Sequence, residues 1–258
     1  MIEHPIIFST DMVRAILAGQ KTQTRRVVRP QWPNDSIIEE MSATTPEGWQ
    51  TIGHSGRWWD AGCCSYQRHC PYGVPGDHLW VRENWKLVNW QWEDPEQKIM
   101  YSDGSTKWVN PDLRYIEEQP FDAWLMREYE RVTKHPVAHA VLDPRYEDDT
   151  RWEVDEQALP WRPSIFMPRW ASRIVLEITG IRVERVQEIN QQDARAEGVK
   201  GGKWGDPGVD WVSTSGVDWI VPFRRAWDAI NAKRGYGWDV NPWVWVIEFK
   251  RIEQGAKA

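Results

Sequence analysis

Ile16-Leu17-Ala18-Gly19-Gln20-Lys21-Thr22-Gln23-Thr24-Arg25-Arg26 places an amine and a hydroxyl three residues apart, just beyond the end of a short helix. Met12, Val13, Ile16 and Leu17 share one helical face, Ser9 or Thr10 stands where a capping hydroxyl belongs, and Gly19 can take the left-handed conformation that stops the helix. Lys21 and Thr24 are therefore held just past that stop. A threonine hydroxyl becomes a useful nucleophile once a base takes its proton, and an ordinary lysine is neutral in only about one molecule in 2,500 at pH 7. Burial, and the crowd of cations Arg25, Arg26 and Arg29, would favour the neutral, basic form of Lys21. A Lys-x-x-Thr pair ahead of a basic run is also what a solvated face looks like, so these residues alone leave both readings open.

Downstream, Pro30 to Cys70 is rich in Pro, Gly, Ser and Thr and reads as an irregular insertion. Pro75-Gly76-Asp77 turns into a strand over Leu79 to Asn84, with Lys98 to Tyr101 following. Trp108 to Trp161 mixes charged and aromatic residues, with helical spacing only around Phe121 to Tyr129, and reads as a second insertion. Alternating, β-branched sequence over Ser172–Thr179 and Ile181–Val186 predicts strands. Asn190 can cap a helix over Gln191–Glu197, with Asp193 at the reciprocal position and Gly198 as its stop. Pro222 suits the first turn of another helix, on which Phe223, Ala226, Trp227 and Ile230 line one side. Trp243 to Phe249 is apolar on both faces at first and predicts a buried closing strand. Short strands with one or two helices give an α+β class and a small β-barrel with long decorations.

At 258 residues the chain can bury a sizeable core, and it reads as one domain with insertions near 31–71 and 108–161. A net charge of −6 disfavours an unspecific grip on long nucleic acid, which needs a broad basic surface, and leaves room only for weak RNA binding in a local basic cleft. No run approaches the roughly 18 apolar residues of a membrane span, and Met1 to Pro5 lacks a secretory apolar stretch, so a cytoplasmic protein without membrane attachment is expected. The three cysteines fit a reducing compartment. Tryptophan is the outlier, with 20 copies against 5 Phe and 7 Tyr. Trp80, Trp227, Trp243 and Trp245 sit in apolar or amphipathic runs and are expected in the core. Trp58, Trp59, Trp90, Trp92 and Trp108 sit in polar, irregular stretches, where a base could stack for about 1 to 3 kcal/mol each.

In this order the pieces resemble the ASCH domain, a member of the PUA-like barrel superfamily. The matching residues are Ile16 to Arg26, Pro75-Gly76-Asp77-His78-Leu79-Trp80-Val81-Arg82, Ile178-Thr179 to Val199, and Trp243 to Phe249, together about half of the chain. The Trp-rich, insertion-bearing form looks like the larger ASCH proteins of phages and prophages. Within that family, the small N4-acetylcytidine amidohydrolases use a Lys and a Thr in a Gly-x-Lys-Thr-x-Thr pattern and a Glu at the end of a short helix. The resemblance implies Lys21, Thr24 and Glu197 as the catalytic residues here. Arg25 stands where that pattern has an apolar residue, and the insertions have no counterpart in the small enzymes. What the resemblance implies is a PUA-like barrel with flanking helices and a modified nucleoside or base as substrate.

In that chemistry Thr24 attacks an amide carbonyl, an acyl-enzyme forms, the cytidine amine leaves and water releases the acid. Glu197 is expected to pass a proton to the leaving amine while standing out of contact with Lys21, because a close carboxylate would hold Lys21 charged. Arg26 is the candidate for orienting the base or stabilising the oxyanion, and Arg82 and Trp243 for lining the substrate pocket. No cofactor and no metal are expected. Cys63, Cys64, His69 and Cys70 lie close together, yet adjacent cysteines rarely coordinate one ion and no Cys-x-x-Cys knuckle is present. The alternative function is a noncatalytic RNA-binding or RNA-processing ASCH module that reads a nucleotide with exposed tryptophans.

Overall fold

The computed structural model describes residues 1–32, 36–42, 48–54, 69–90, 97–109, 138–142, 150–154, 161–203 and 217–252. It is an α+β chain of many strands and few helices, and among the described residues no barrel closes. A strand β1 (Glu3–Ile7) leads into α1 (Thr10–Leu17), followed by β2 (Gln23–Val27), β3 (Ser36–Ser42), β4 (Gly48–His54) and β5 (His78–Arg82). Next come β6 (Trp85–Trp90), β7 (Gln97–Tyr101), β8 (Thr106–Val109), β9 (Ala138–Leu142) and β10 (Thr150–Val154). The chain then forms β11 (Val175–Arg185), α2 (Gln191–Ala196), β12 (Gly202–Lys203), β13 (Val217–Asp218), α3 (Ile220–Asn231) and β14 (Trp243–Ile252).

The principal sheet has five strands in the order β1-β5-β11-β14-β2. Its centre is the long antiparallel pair β11–β14, where the apolar run Trp243-Val244-Trp245-Val246-Ile247 is buried on both faces, as the sequence predicts. β11 is one strand where two were expected. Gly180 marks the reason: the register with β14 shifts between Ile178 and Gly180, so the strand bulges there and continues to Arg185. β2 is the less expected member, since Gln23-Thr24-Arg25-Arg26-Val27 has no apolar alternation; it pairs with β14 through Thr24↔Ile247 and Arg26↔Trp245.

The helices end as their residues dictate. At the end of α1, Gln20 N donates to Ala15 O at 2.8 Å and Gly19 N to Ile16 O at 3.0 Å, with Gly19 at φ +69°, a Schellman arrangement. Asn190 Oδ1 accepts from Asp193 N at 2.8 Å at the start of α2, and Gly198 at φ +76° stops it. Asp218 takes the N–H groups of Ile220 and Val221 at 3.1 Å each and so caps α3, which buries Phe223, Trp227 and Asn231 on one side. Among the described residues no helix is long and apolar enough to cross a membrane.

The chain divides into two compact units, the first Met1–Ile6, Asp11–Trp80 and Ile174–Ala258, the second Ile7–Thr10 and Val81–Arg173. In the first, Val186, Ile189, Ala194, Phe223, Trp227, Val244 and Val246 form a core between α2, α3 and the sheet. In the second, Trp85, Leu87, Ile99, Tyr101, Val109, Met167 and Ala171 pack around the ladder β6-β7-β8. The stretches read as irregular are not wholly so: β3–β4 is a ladder within 31–71, and β9–β10 is another within 108–161. The helix expected over Phe121–Tyr129 lies outside the described residues. Trp80, Trp227, Trp243 and Trp245 are buried as expected, whereas Trp108 is 39% exposed.

Candidate active site

Lys21 reaches its place because the Schellman turn sends the chain back on itself: Lys21 N donates to Ala15 O at 3.1 Å, and Thr22 N to Ala196 O at 2.9 Å. Lys21 and Glu197 pair across an isolated antiparallel bridge. The approach is close enough that Gly198 has no room for a side chain, since a Cβ there would stand 2.7 Å from that of Lys21 and 2.9 Å from that of Ala15. The end of α2 is thereby pressed onto the segment that follows α1.

In this corner Lys21 Nζ donates to Gln23 O, to Glu197 O and to Glu197 Oε2, each at 2.8 Å. The Lys21 side chain has no exposed surface and that of Glu197 only 5%. The expectation that Glu197 stands clear of Lys21 is corrected: the two are in direct contact. The physical ground for the expectation, that a nearby carboxylate favours the ammonium, is outweighed here by burial, which is the largest influence and draws the Lys21 pKa below its ordinary value. Glu197 pulls the other way, and Arg26 and Arg25 add to the lowering.

Behind the pair lies a network of charge. Arg25, buried, donates to Glu197 Oε1 at 3.2 Å, to Asp193 Oδ2 at 3.1 Å and to Glu184 Oε1. Arg182 meets the same Asp193 Oδ2 at 2.8 Å and Glu184 Oε2 at 3.1 Å, and also Glu248. The burial of the Arg25 guanidinium has a structural reason: three carboxylates from β11, α2 and its C-cap converge on it.

A cavity of about 630 Å³ opens beside this corner within the first unit, a size in the range of small-molecule sites. Thr24 and Glu197 both line it, and so does Arg26. Phe223, Trp227 and Trp245 supply an apolar wall, while His69, Tyr72, Arg29 and Arg234 supply polar groups. Lys21 is not a lining residue; it sits under Glu197 and reaches the cavity through it.

Arg82 and Trp243 are not among the lining residues either. Arg82 belongs to the second unit, and Trp243 is core, edge-on to Trp32 with Arg185 4.0 Å above its ring. Trp245, two residues further along β14, is the tryptophan of that strand that lines the cavity. The sequence does not single out Tyr72 and Arg234, and it marks Arg29 and His69 only as a cation near Lys21 and as a neighbour of the cysteines; as lining residues the four come from three distant segments with no shared spacing.

Cys63 and Cys64 lie outside the described residues, and among the described residues no group of His, Cys, Asp and Glu is arranged to hold a metal. Burial pushes the Cys70 thiol up to about 12, which makes it a poor source of thiolate. Comparison of the chain with protein-family models, with curated proteins and with solved structures returns no match.

Proposed function

We propose that this protein is a metal-independent amidohydrolase of PUA-like, ASCH type that removes the acyl group from an N4-acylated cytosine nucleoside or a related modified base. The observation that carries the reading is the buried Lys21–Glu197 pair, whose Glu197 lines the same cavity as Thr24. A lysine with its pKa lowered by burial is suited to take a proton, and Thr24 is the aliphatic hydroxyl among the described residues that line that cavity.

In the proposed reaction Lys21 enters as the neutral amine, which keeps only two of its three donated hydrogen bonds, and takes the proton of Thr24 Oγ1 as that oxygen attacks the acyl carbonyl. The hydrogen bond from Lys21 Nζ to Glu197 Oε2 gives that proton a path to Glu197 and on to N4 as the C–N bond breaks. Water then adds to the threonyl ester, the acid leaves and the proton returns to Thr24 Oγ1. Arg26, another lining residue, is assigned to steady the oxyanion, and Phe223, Trp227 and Trp245 offer apolar surface to a pyrimidine.

Incubation of the purified protein with N4-acetylcytidine, followed by chromatography of the nucleosides, tests the reading. Cytidine and acetate are expected, with turnover unchanged by EDTA. Failure to act on any of a panel of N4-acylated cytosines and cytidines, together with tight, steeply salt-dependent binding of single-stranded RNA, would replace it with the RNA-binding alternative.

A further inference from the structure

The arginines of the cavity fall into two kinds. Arg25 is committed to Glu197, Asp193 and Glu184. Arg29 and Arg234 are exposed at the cavity wall, and among the described residues neither forms an ion pair. Arg29 instead lies 5.0 Å over the ring of Tyr236, a contact that holds a guanidinium in place without neutralising it. Arg26 also lines the cavity, and Glu197, already engaged by Lys21 and Arg25, is the sole carboxylate among the described lining residues. The described lining of the cavity therefore carries a surplus of positive charge on a chain whose overall charge is −6. That contrast is local, and guanidinium pairs are the donors best matched to a phosphate.

We infer that the cavity takes a nucleotide rather than a nucleoside: a cytidine monophosphate whose base lies toward Phe223, Trp227 and Trp245 and whose phosphate is received by Arg29 and Arg234. The inference rests on the reading above only for the identity of the base. The phosphate subsite comes from the charge distribution of the cavity itself. Because both arginines are exposed, the contribution is screened by salt.

Titration calorimetry with cytidine 5′-monophosphate and with cytidine at low ionic strength is the test. The monophosphate is expected to bind at least ten times more tightly, with the advantage shrinking as salt is raised. Arg29→Ala combined with Arg234→Ala should bring the two dissociation constants together, and the Arg29→Lys, Arg234→Lys pair should recover part of the difference, which separates lost charge from lost folding. Equal binding of nucleotide and nucleoside by the wild type overturns the inference. Tighter binding of the trinucleotide CpCpC than of the monophosphate also overturns it, by assigning the arginines to a polynucleotide strand. The two proposals fail separately: preferential binding of the monophosphate without hydrolysis of N4-acetylcytidine or its 5′-monophosphate keeps the subsite and removes the amidohydrolase, whereas hydrolysis of both at equal kcat/KM with no preference in binding does the reverse.

Discussion

Lys21 Nζ and Glu197 Oε2 stand 2.8 Å apart in a corner that leaves the lysine side chain no exposed surface. An ammonium in such a place is held by the partner it faces and opposed by the loss of its water, and here the second influence is the larger. The consequences for activity and for stability differ.

Thr24→Ala removes the proposed nucleophile and leaves the pair intact, so turnover should fall by about 10³-fold or more while the unfolding free energy changes by only about 1 kcal/mol. Lys21→Met should abolish turnover as well but also destabilise the fold by about 3 kcal/mol, at the low end for a broken buried pair because Arg25 still faces Glu197. Thr24→Ser should retain part of the activity and Lys21→Arg none, since a guanidinium does not act as a base near neutral pH. Steady-state kinetics and urea unfolding of the same preparations check this set; a fully active Lys21→Arg would remove the lysine from the general-base role.

The lowered pKa of Lys21 fixes a direction in pH. Above the depressed folded-state value and below the ordinary 10.5, the unfolded chain binds more protons at this site than the folded one does, so the contribution of Lys21 to stability rises with pH through that window. Unfolding free energies measured from pH 7 to 10 should therefore show a rising component in the wild type that is missing in Lys21→Met. A component that falls over this range would mean that Glu197 dominates and the pair is held charged.

Gly198 and Gly19 make a matched pair of backbone tests. Both have positive φ, +76° and +69°, but a Cβ at Gly19 meets nothing within 4 Å, whereas one at Gly198 collides with Lys21 and Ala15. Gly19→Ala should cost about 1 to 2 kcal/mol of conformational strain and leave turnover near the wild-type value. Gly198→Ala should cost more than about 2 kcal/mol and also lower kcat, because the end of α2 must move away from Lys21. Thermal denaturation read beside kinetics distinguishes the two; equal effects would place the close approach outside the site.

Arg25→Met should be among the more damaging single substitutions in the first unit. It removes the buried cation shared by Glu197, Asp193 and Glu184, and only the last two keep Arg182. A loss of about 3 to 5 kcal/mol is expected, with little sensitivity to salt because the pair is dry. Arg25→Lys should recover only part of it, one ammonium being unable to span three carboxylates. Urea titrations at low and high ionic strength provide the measurement.

The local signals were the legible ones. Gly19 and Gly198 read correctly as helix stops and Asn190 as a cap, because each acts through hydrogen bonds to residues a few positions away. The apolar run of β14 likewise declares a buried strand by itself. β2 does not: a sequence of Gln, Thr and two Arg becomes a strand because β14 lies beside it, a tertiary influence that overrides propensity. β11 was divided at Gly180 because a bulge and a turn carry the same residue. The residues of the site could be proposed in one dimension, but not the 2.8 Å between Lys21 and Glu197, since spacing along the chain holds no information on contact across 176 positions.

The position of β14 between β11 and β2 sets an order in time. Lys21, Thr24 and Glu197 have all been synthesised well before Trp243, yet the strand that holds Thr24 to the rest of the sheet comes after them, through the ladder contact Thr24↔Ile247. At ribosomal speeds the wait between those two residues is on the order of ten seconds or more. For most of that interval Lys21 and Thr24 wait without Glu197 as well as without the strand that aligns them, and a message broken between the codons of Glu197 and Trp243 yields a polypeptide that possesses all three and can never bring them to bear.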